Sequence, residues 1–485
     1  MLTHTANEDS RLSLWLRVRE FAVPPSMIDT ATARRRAGDW AGACAAAGFD
    51  VDLSLRSVAR VHGQELATRV RADLRRLAPD LLRWHMPRIA PDGLLRPGLT
   101  LTLARYGTGG DSPGCDGPGC DGAGCDGAGC DGAGAVHLVV RTPPAWAAAG
   151  QRISLALWDG SRSGTGGHRH PRPRPHPRYR LDLHRHLWDA HRAGELRSRA
   201  GADRPPGAEG PGPDLEPLRM MPGERRCAVD RWPAEAGILL RAEGRPPGAV
   251  TVRLGARHRL LLKLAARNGT GPPAPRITAT PLERRASALP VLPDAATWAL
   301  PDLELIRAGL IRPDQLHPLV ALALAPDAPP PPGPGPRRAG GPHLVECRGA
   351  RHRIGLVDGV LSALDHDPDE IRREELLAAL TGTPLPCLRE IGRAHREPDA
   401  LTGVRERLDH GDIDGALAVV EGLLGRESTL PGGALRDELE AAARGRVAHG
   451  LFRAGLAGPG PAPGTHPRDR RTRDRRAHPR HATTR

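Results

Sequence analysis

Residues 81–106, LLRWHMPRIAPDGLLRPGLTLTLARY, contain the point at which the periodicity of this chain changes. Upstream, Leu66, Val70, Leu74, Leu77 and Leu81 recur at three- and four-residue spacing, which places them on one face of a helix. Pro79 lacks the N–H that a continuous helix needs, so it divides that run in two. Downstream, Leu99-Thr-Leu-Thr-Leu103 alternates apolar with polar, the period of a half-buried strand. Helices before this stretch and strands after it predict an α+β fold.

Further out, 136–140, 153–158, 179–183, 250–254 and 260–264 are short apolar or alternating runs bounded by Pro and Gly. No helices of matching length separate them, so the expectation is an antiparallel β-sandwich or barrel of about seven strands. On the N-terminal side, Ser26 is the expected cap of a helix running to Arg36, and Gly38-Asp39 is the break before a second helix from Trp40 to Ala47. Beyond the β-region a helical stretch, 301–325, runs into the proline-rich 325–342; a hairpin (343–356) and helices at 400–408, 413–424 and 435–456 follow. The organisation expected is therefore a helical N-terminal region (1–92) and a β-rich domain (93–295) with low-complexity inserts at 107–134, 160–177 and 203–217. After these come a helical connector (296–325), a Pro/Gly-rich linker (326–342), a mainly helical C-terminal domain (343–456) and a disordered basic tail (457–485).

Composition sets limits on partners. Lys263 is the only lysine among 70 basic residues, and Asn, Tyr and Phe are scarce while Gly, Ala, Pro and Arg abound. Those are residues of GC-rich codons, which points to a GC-rich bacterial source and removes lysine-based phosphate cradles. The net charge of +14 resides mostly in two segments: 168–186 has six Arg and one Asp, and 467–485 has eight Arg and two Asp. The remainder is nearly neutral, so no basic domain face is implied. No run approaches the 18 apolar residues of a membrane span, and acidic residues stand where a signal peptide needs positive charge. The expectation is a cytoplasmic protein with no membrane contact, whose eight cysteines stay reduced.

Two internal echoes stand out. Gly38-Asp-Trp-Ala-Gly-Ala-Cys-Ala45 resembles Gly411-Asp-Ile-Asp-Gly-Ala-Leu-Ala418, each predicted to break the chain between paired helices. Copies so far apart in sequence cannot form a tetratricopeptide-type array, which needs about three adjacent units. They are expected as two isolated helix pairs. The second echo, Gly-Ala-Arg-His-Arg, occurs at 255–259 and 349–353, each time between strand-like runs.

Candidate metal ligands fall in two places. Cys115, Cys120, Cys125 and Cys130 recur every five residues in GCDGPGCDGAGCDGAGCDGAG, four thiols being enough in number for a zinc site. The intervening residues are Gly, Ala, Pro and Asp, whose ordering costs about 1–2 kcal/mol each, so a flexible loop is the favoured account. Six histidines lie between His168 and His191, and His184 and His186 flank Arg185 in a predicted strand, where both rings would share one face. Asp182 and Asp189 are the carboxylates near enough in sequence to complete a divalent-metal site there, against interleaved arginines that repel a cation. The run Asp365-His-Asp-Pro-Asp-Glu370 looks metal-like too, but a helix cap at Asp367 explains acidic groups in a first turn.

No phosphate-binding loop, H-E-x-x-H or G-x-S-x-G elbow is present; Gly160-Ser-Arg-Ser-Gly164 carries Arg at its centre. A triad of Ser, His and Asp assembled in space is left open by sequence. The tail 468–485, RDRRTRDRRAHPRHATTR, has arginine forks for phosphates but no aromatic residue for stacking, which limits it to weak, sequence-independent nucleic-acid binding.

The segments 81–106, 139–158 (VVRTPPAWAAAGQRISLALW) and 179–190 (YRLDLHRHLWDA) resemble a family of uncharacterised proteins of GC-rich bacteria. The likeness spans roughly residues 1–200 and implies no activity or site residue. Together these readings favour a non-catalytic intracellular protein-interaction or scaffold protein whose partner is another protein. The alternatives are a metal-binding protein using the His-rich strand and weak nucleic-acid binding through the tail.

Overall fold

The computed structural model describes residues 12–107, 135–160, 170–203, 226–255, 258–264, 276–279, 289–326, 343–347, 350–357, 360–381, 385–388, 399–424 and 434–456. The Cys-Asp-Gly repeat, half of the insert at 160–177, nearly all of that at 203–217, nearly all of the proline-rich linker and the tail lie outside them. No described helix is long and apolar enough to cross a membrane.

The N-terminal third forms α1 (Pro25–Arg36), α2 (Trp40–Ala46), β1 (Phe49–Val51), α3 (Leu55–His62), α4 (Gln64–Arg76) and α5 (Pro79–His85). Pro79 opens α5 at its first turn, where the missing N–H costs nothing, so the expected division is observed. Helix α1 starts at Pro25, which places Ser26 inside the helix rather than at its cap. The predicted apolar face is the one buried: Leu66, Val70, Leu74, Leu77 and Leu81 all enter the first core.

After the short ladder of β2 (Arg88–Ile89) and β3 (Leu94–Leu95) come β4 (Thr100–Tyr106), β5 (Val136–Arg141) and β6 (Ile153–Trp158). They form a four-stranded sheet in the order β1-β6-β5-β4. Strand β1, inside the region expected to be helical, pairs parallel with β6, while the other pairs are antiparallel. Strands β4 and β5 are buried on both faces.

The run 179–183 is not a strand. It forms a 3-10 turn, Leu181–Leu183, followed by a second, Arg185–Leu187, and then by α6 (Leu196–Ala200). Trp188, fully buried beside these turns, donates from Nε1 to the Leu181 carbonyl at 2.9 Å.

Helix α7 (Trp232–Ala242) and strands β7 (Ala249–Leu254), β8 (His258–Lys263) and β9 (Arg276–Ala279) build a second core. Val250, Val252 and Leu254 alternate inward on β7 against Leu260 and Leu262 of β8, with Trp232 closing the far side. Apart from β3 in its two-stranded ladder, the described strands of 93–295 thus divide between two sheets with separate cores, neither closed into a barrel. The expected helical connector (296–325) is helical in pieces: α8 (Asp294–Thr297) runs into it, and α9 (Pro301–Arg307) and α10 (Pro318–Leu324) lie within it. Leu305, Ile311, Leu316 and Val320 return to the first core.

Beyond the linker, β10 (His343–Cys347), β11 (Ala350–Val357) and β12 (Val360–Ala363) form an antiparallel meander followed by α11 (Pro368–Thr381). The Asp367 carboxylate accepts from the Asp369 N–H at 2.9 Å, as expected of a cap. Three helices end the described chain: α12 (Asp399–His410), α13 (Ile413–Leu424) and α14 (Ala434–Arg453). They fold back onto the first core. Arg17 pairs with Glu406, His449 and Arg453 meet Asp50, and Trp146 packs edge-on against Phe452. Gly411, at φ +83°, lies so close that a Cβ would fall 2.2 Å from the Gly150 carbonyl oxygen.

Arg83 ties these segments together. Its guanidinium is fully buried without a carboxylate partner and donates to the carbonyls of Ala22 (2.9 Å), Ala47 (3.4 Å), Gln151 (2.7 Å) and His410 (3.1 Å). Burial lowers it to about 10, which still leaves it charged at neutral pH. The two Gly-Asp echoes, distant in sequence, therefore meet at one side chain: Ala47 follows the second helix of one pair and His410 closes the first helix of the other. Locally they match. Asp39 accepts from Gly42 N at 2.7 Å and Asp412 from Gly415 N at 3.0 Å, with Arg34 and Arg407 on the respective carboxylates.

Candidate metal centre

Four metal-binding side chains converge in the meander unit. Cys347 ends β10, His352 lies two residues beyond the start of β11, His366 follows β12, and Cys387 sits in a helical turn after α11. Their donor atoms all lie within 4.8 Å of one another, and among the described residues no other such group of three or more occurs. The β-ladder explains half of this arrangement. Cys347 pairs with Ala350 at the hairpin end, so the residue two further along β11 stands on the same face of the sheet.

The flanking residues hold the two histidines. Arg353 donates to Asp365 through its backbone N–H (2.7 Å) and its guanidinium (2.7 Å), which fixes the positions next to His352 and His366. The imidazoles stand edge to face, 4.2 Å between centroids, with His352 Nδ1 and His366 Nε2 2.6 Å apart. The other nitrogen of His366, Nδ1, lies 3.7 Å from the Glu370 carboxylate. A carboxylate behind a ligating imidazole fixes its tautomer and raises its basicity.

Cys387 Sγ stands 3.9 Å from His352 Nδ1. Burial, followed by the Cys347 and Asp365 neighbours, pushes its thiol up to about 11. Both sulfurs are buried, and the His366 ring keeps only 4% of its surface exposed although its backbone is more open. A tetrahedral zinc with Zn–S near 2.3 Å and Zn–N near 2.0 Å would set donors about 3.3–3.8 Å apart, so the nitrogens need to separate by somewhat under 1 Å. The donor chemistry fits zinc: two soft sulfurs, two imidazoles and no open position. Two thiolates would balance the ion's charge, which suits a buried site.

The candidates named from sequence lie elsewhere. Cys115, Cys120, Cys125 and Cys130 are outside the described residues. His184 and His186 are adjacent, with ring centroids 5.7 Å apart, but on consecutive 3-10 turns rather than a strand face. His184 Nδ1 meets the Arg180 carbonyl at 3.1 Å, and its Nε2 lies 3.2 Å from Glu235. Burial pushes the Glu235 carboxyl up, yet its contacts with His184 and Arg199 outweigh that and hold it down at about 2. Asp182 is clamped by Arg180, and Asp189 accepts from Arg185 and the His191 backbone. Neither carboxylate completes a site with the two histidines.

Other histidines of that segment serve the backbone. His170 Nδ1 accepts from Arg172 N and His176 Nδ1 from Arg178 N, so the His-x-Arg rhythm is a turn device. His317 repeats it: Nδ1 accepts from Leu319 N, which leaves Nε2 as the donor to Asp80 at 2.8 Å. That buried pair carries no free nitrogen to activate a nucleophile, so it is not two-thirds of a triad.

Compared with known proteins, the chain matches no family model, no curated protein and no solved structure.

Proposed function

We propose that this chain is a non-catalytic scaffold protein carrying one structural zinc, held by Cys347, His352, His366 and Cys387. The convergence of those four side chains, from four separate elements of a small unit, carries this reading. Four protein donors close the coordination sphere, which suits a staple and leaves no position for substrate. The apolar set beside it is small: Cys347, Ala363 and Cys387, with Ile371 and Leu385 packed against them. A unit of this size draws its folding free energy from the metal.

Charge argues against a nucleic-acid finger. Between His343 and Leu388 eight carboxylate residues face five arginines. A protein partner suits the exposed apolar residues of the C-terminal helices better: Leu417 of α13 is 42% exposed, and Val447 and Leu451 of α14 are 62% and 41% exposed.

Metal analysis of the purified full-length chain tests the zinc. One zinc per chain is expected, with two sulfur and two nitrogen neighbours by X-ray absorption, and loss of the ion in the Cys347→Ser/Cys387→Ser double variant. Protein that is metal-free after growth with added zinc, or a double variant that keeps its ion, would rule it out.

A further inference from the structure

Where the first and second cores meet, a cleft of about 70 Å³ opens between α6, the segment 226–231 and α8–α9. We propose that this cleft binds a small oxyanion such as phosphate or a short carboxylate. Its size sets the ligand: at about 10–15 Å³ per water-sized site it holds roughly five non-hydrogen atoms.

Its walls set the sign. Arg199, Arg226, Arg231 and Arg307 line it, against Glu235 and Asp230. Glu235 is already matched on both oxygens by Arg199, at 2.7 and 2.6 Å, with His184 beside it. Four arginines against two carboxylates make the lining net positive, which repels a divalent cation and attracts an anion.

Three polar atoms of residues in this wall are buried without a hydrogen-bond partner: His184 Nε2, which has the Glu235 carboxylate 3.2 Å away, His186 Nδ1 and Arg231 Nε. His186 is only 5% exposed. Leaving such groups unmatched costs free energy, and an oxyanion held between His186 and Arg231 would offset that cost. A neutral imidazole can offer one N–H to it, and a guanidinium offers a charge-assisted one.

Calorimetric titration of the full chain with inorganic phosphate, and separately with acetate, tests this. Saturable binding is expected, on the order of micromolar at best for so few atoms. It should weaken about tenfold or more in Arg231→Gln and in His186→Leu, with circular dichroism confirming the fold. The ¹⁵N shift of the His186 ring should move on phosphate addition, a readout that stands if either variant fails to fold. An unmoved ring overturns the proposal. So does equal binding by wild type and variants, the result of adventitious contacts with the arginines of 468–485, and so does stoichiometric zinc in the cleft.

Discussion

Around Trp188 the first unit buries Val18, Val70, Leu74, Leu81, Leu101, Leu138 and Ile153 with almost no exposure, whereas the unit at 343–388 buries Cys347, Ala363 and Cys387. With zinc in the proposed site, the same chain would use two sources of stability. Apolar burial is worth about 25 cal/mol per Å² and grows with the size of the unit. A structural zinc supplies about 10–16 kcal/mol in small peptides, whatever their size. Placement follows the same division. The meander unit is an excursion between α10, packed in the first core, and α12, docked against it, so both its ends are anchored to a body that holds itself together.

The sharpest way to break this comparison is to remove the staple. In Cys347→Ser/Cys387→Ser, or after chelation, the amides of β11 should lose hydrogen-exchange protection completely while the main unfolding transition stays in place. A main transition that falls with the metal would mean the two units are one. The converse is Trp188→Ala, expected to cost about 3–5 kcal/mol in the main transition by chemical denaturation, with zinc content unchanged.

Acidity should act on both units, through different groups. Burial, then the positive charges of Arg88, Arg83 and Arg17, push His410 down to about 3, while an unfolded histidine titrates near 6.5. Below pH 6.5 the unfolded chain takes up a proton that the native ring refuses. His410 should therefore contribute about 1.4 kcal/mol per unit to a loss of stability as pH falls from 6.5 to about 3, added to the contributions of His85 and His176, which burial lowers likewise. His410→Gln should reduce the slope by that share, about one proton's worth, in a denaturation series across pH. At the proposed zinc site an ion would have to displace protons from thiols such as Cys387, raised to about 11, so metal affinity should also drop on acidification. His410→Gln should leave that loss untouched.

The smallest effect belongs to the caps. Asp39→Ala and Asp412→Ala should each cost about 1 kcal/mol, read by denaturation midpoint, the second also loosening the docked helices. An unchanged midpoint would reduce the two Gly-Asp turns to coincidence.

Much of the fold was legible because it is local. The face of Leu66 to Leu81, the break at Pro79, the Asp367 cap and the last three helices each rest on residues within a turn or two of one another. The two-sheet division was not legible, since alternation reports a strand and not its neighbour. Residues 179–183 misled because Tyr179, Leu181 and the buried histidines serve consecutive tight turns whose burial mimics a strand.

The metal centre hid for a related reason. Four, thirteen and twenty residues separate its ligands, so no compact motif announces it. His352 was visible only as part of the second Gly-Ala-Arg-His-Arg echo, and His366 only inside an acidic run that a cap explains. The first echo supplies the contrast: its His258 opens the second strand of a three-stranded meander, where His352 lies two residues inside its own, and His258 stands exposed. A cysteine before such a hairpin and a histidine just inside it was the usable signal. The louder cysteine repeat at 115–130 drew attention elsewhere.

Arg83 has a consequence for how the molecule is made. Its fourth acceptor, the His410 carbonyl, lies 327 residues further along the chain. At about 5–20 residues per second, a ribosome delivers that group roughly 15–65 s after the arginine. Throughout that interval the nascent N-terminal unit holds a cation one carbonyl short of its final set. The unit's last tightening must wait for α12 to emerge, so a transcript truncated before that point should yield a product that chaperones and proteases treat as unfinished.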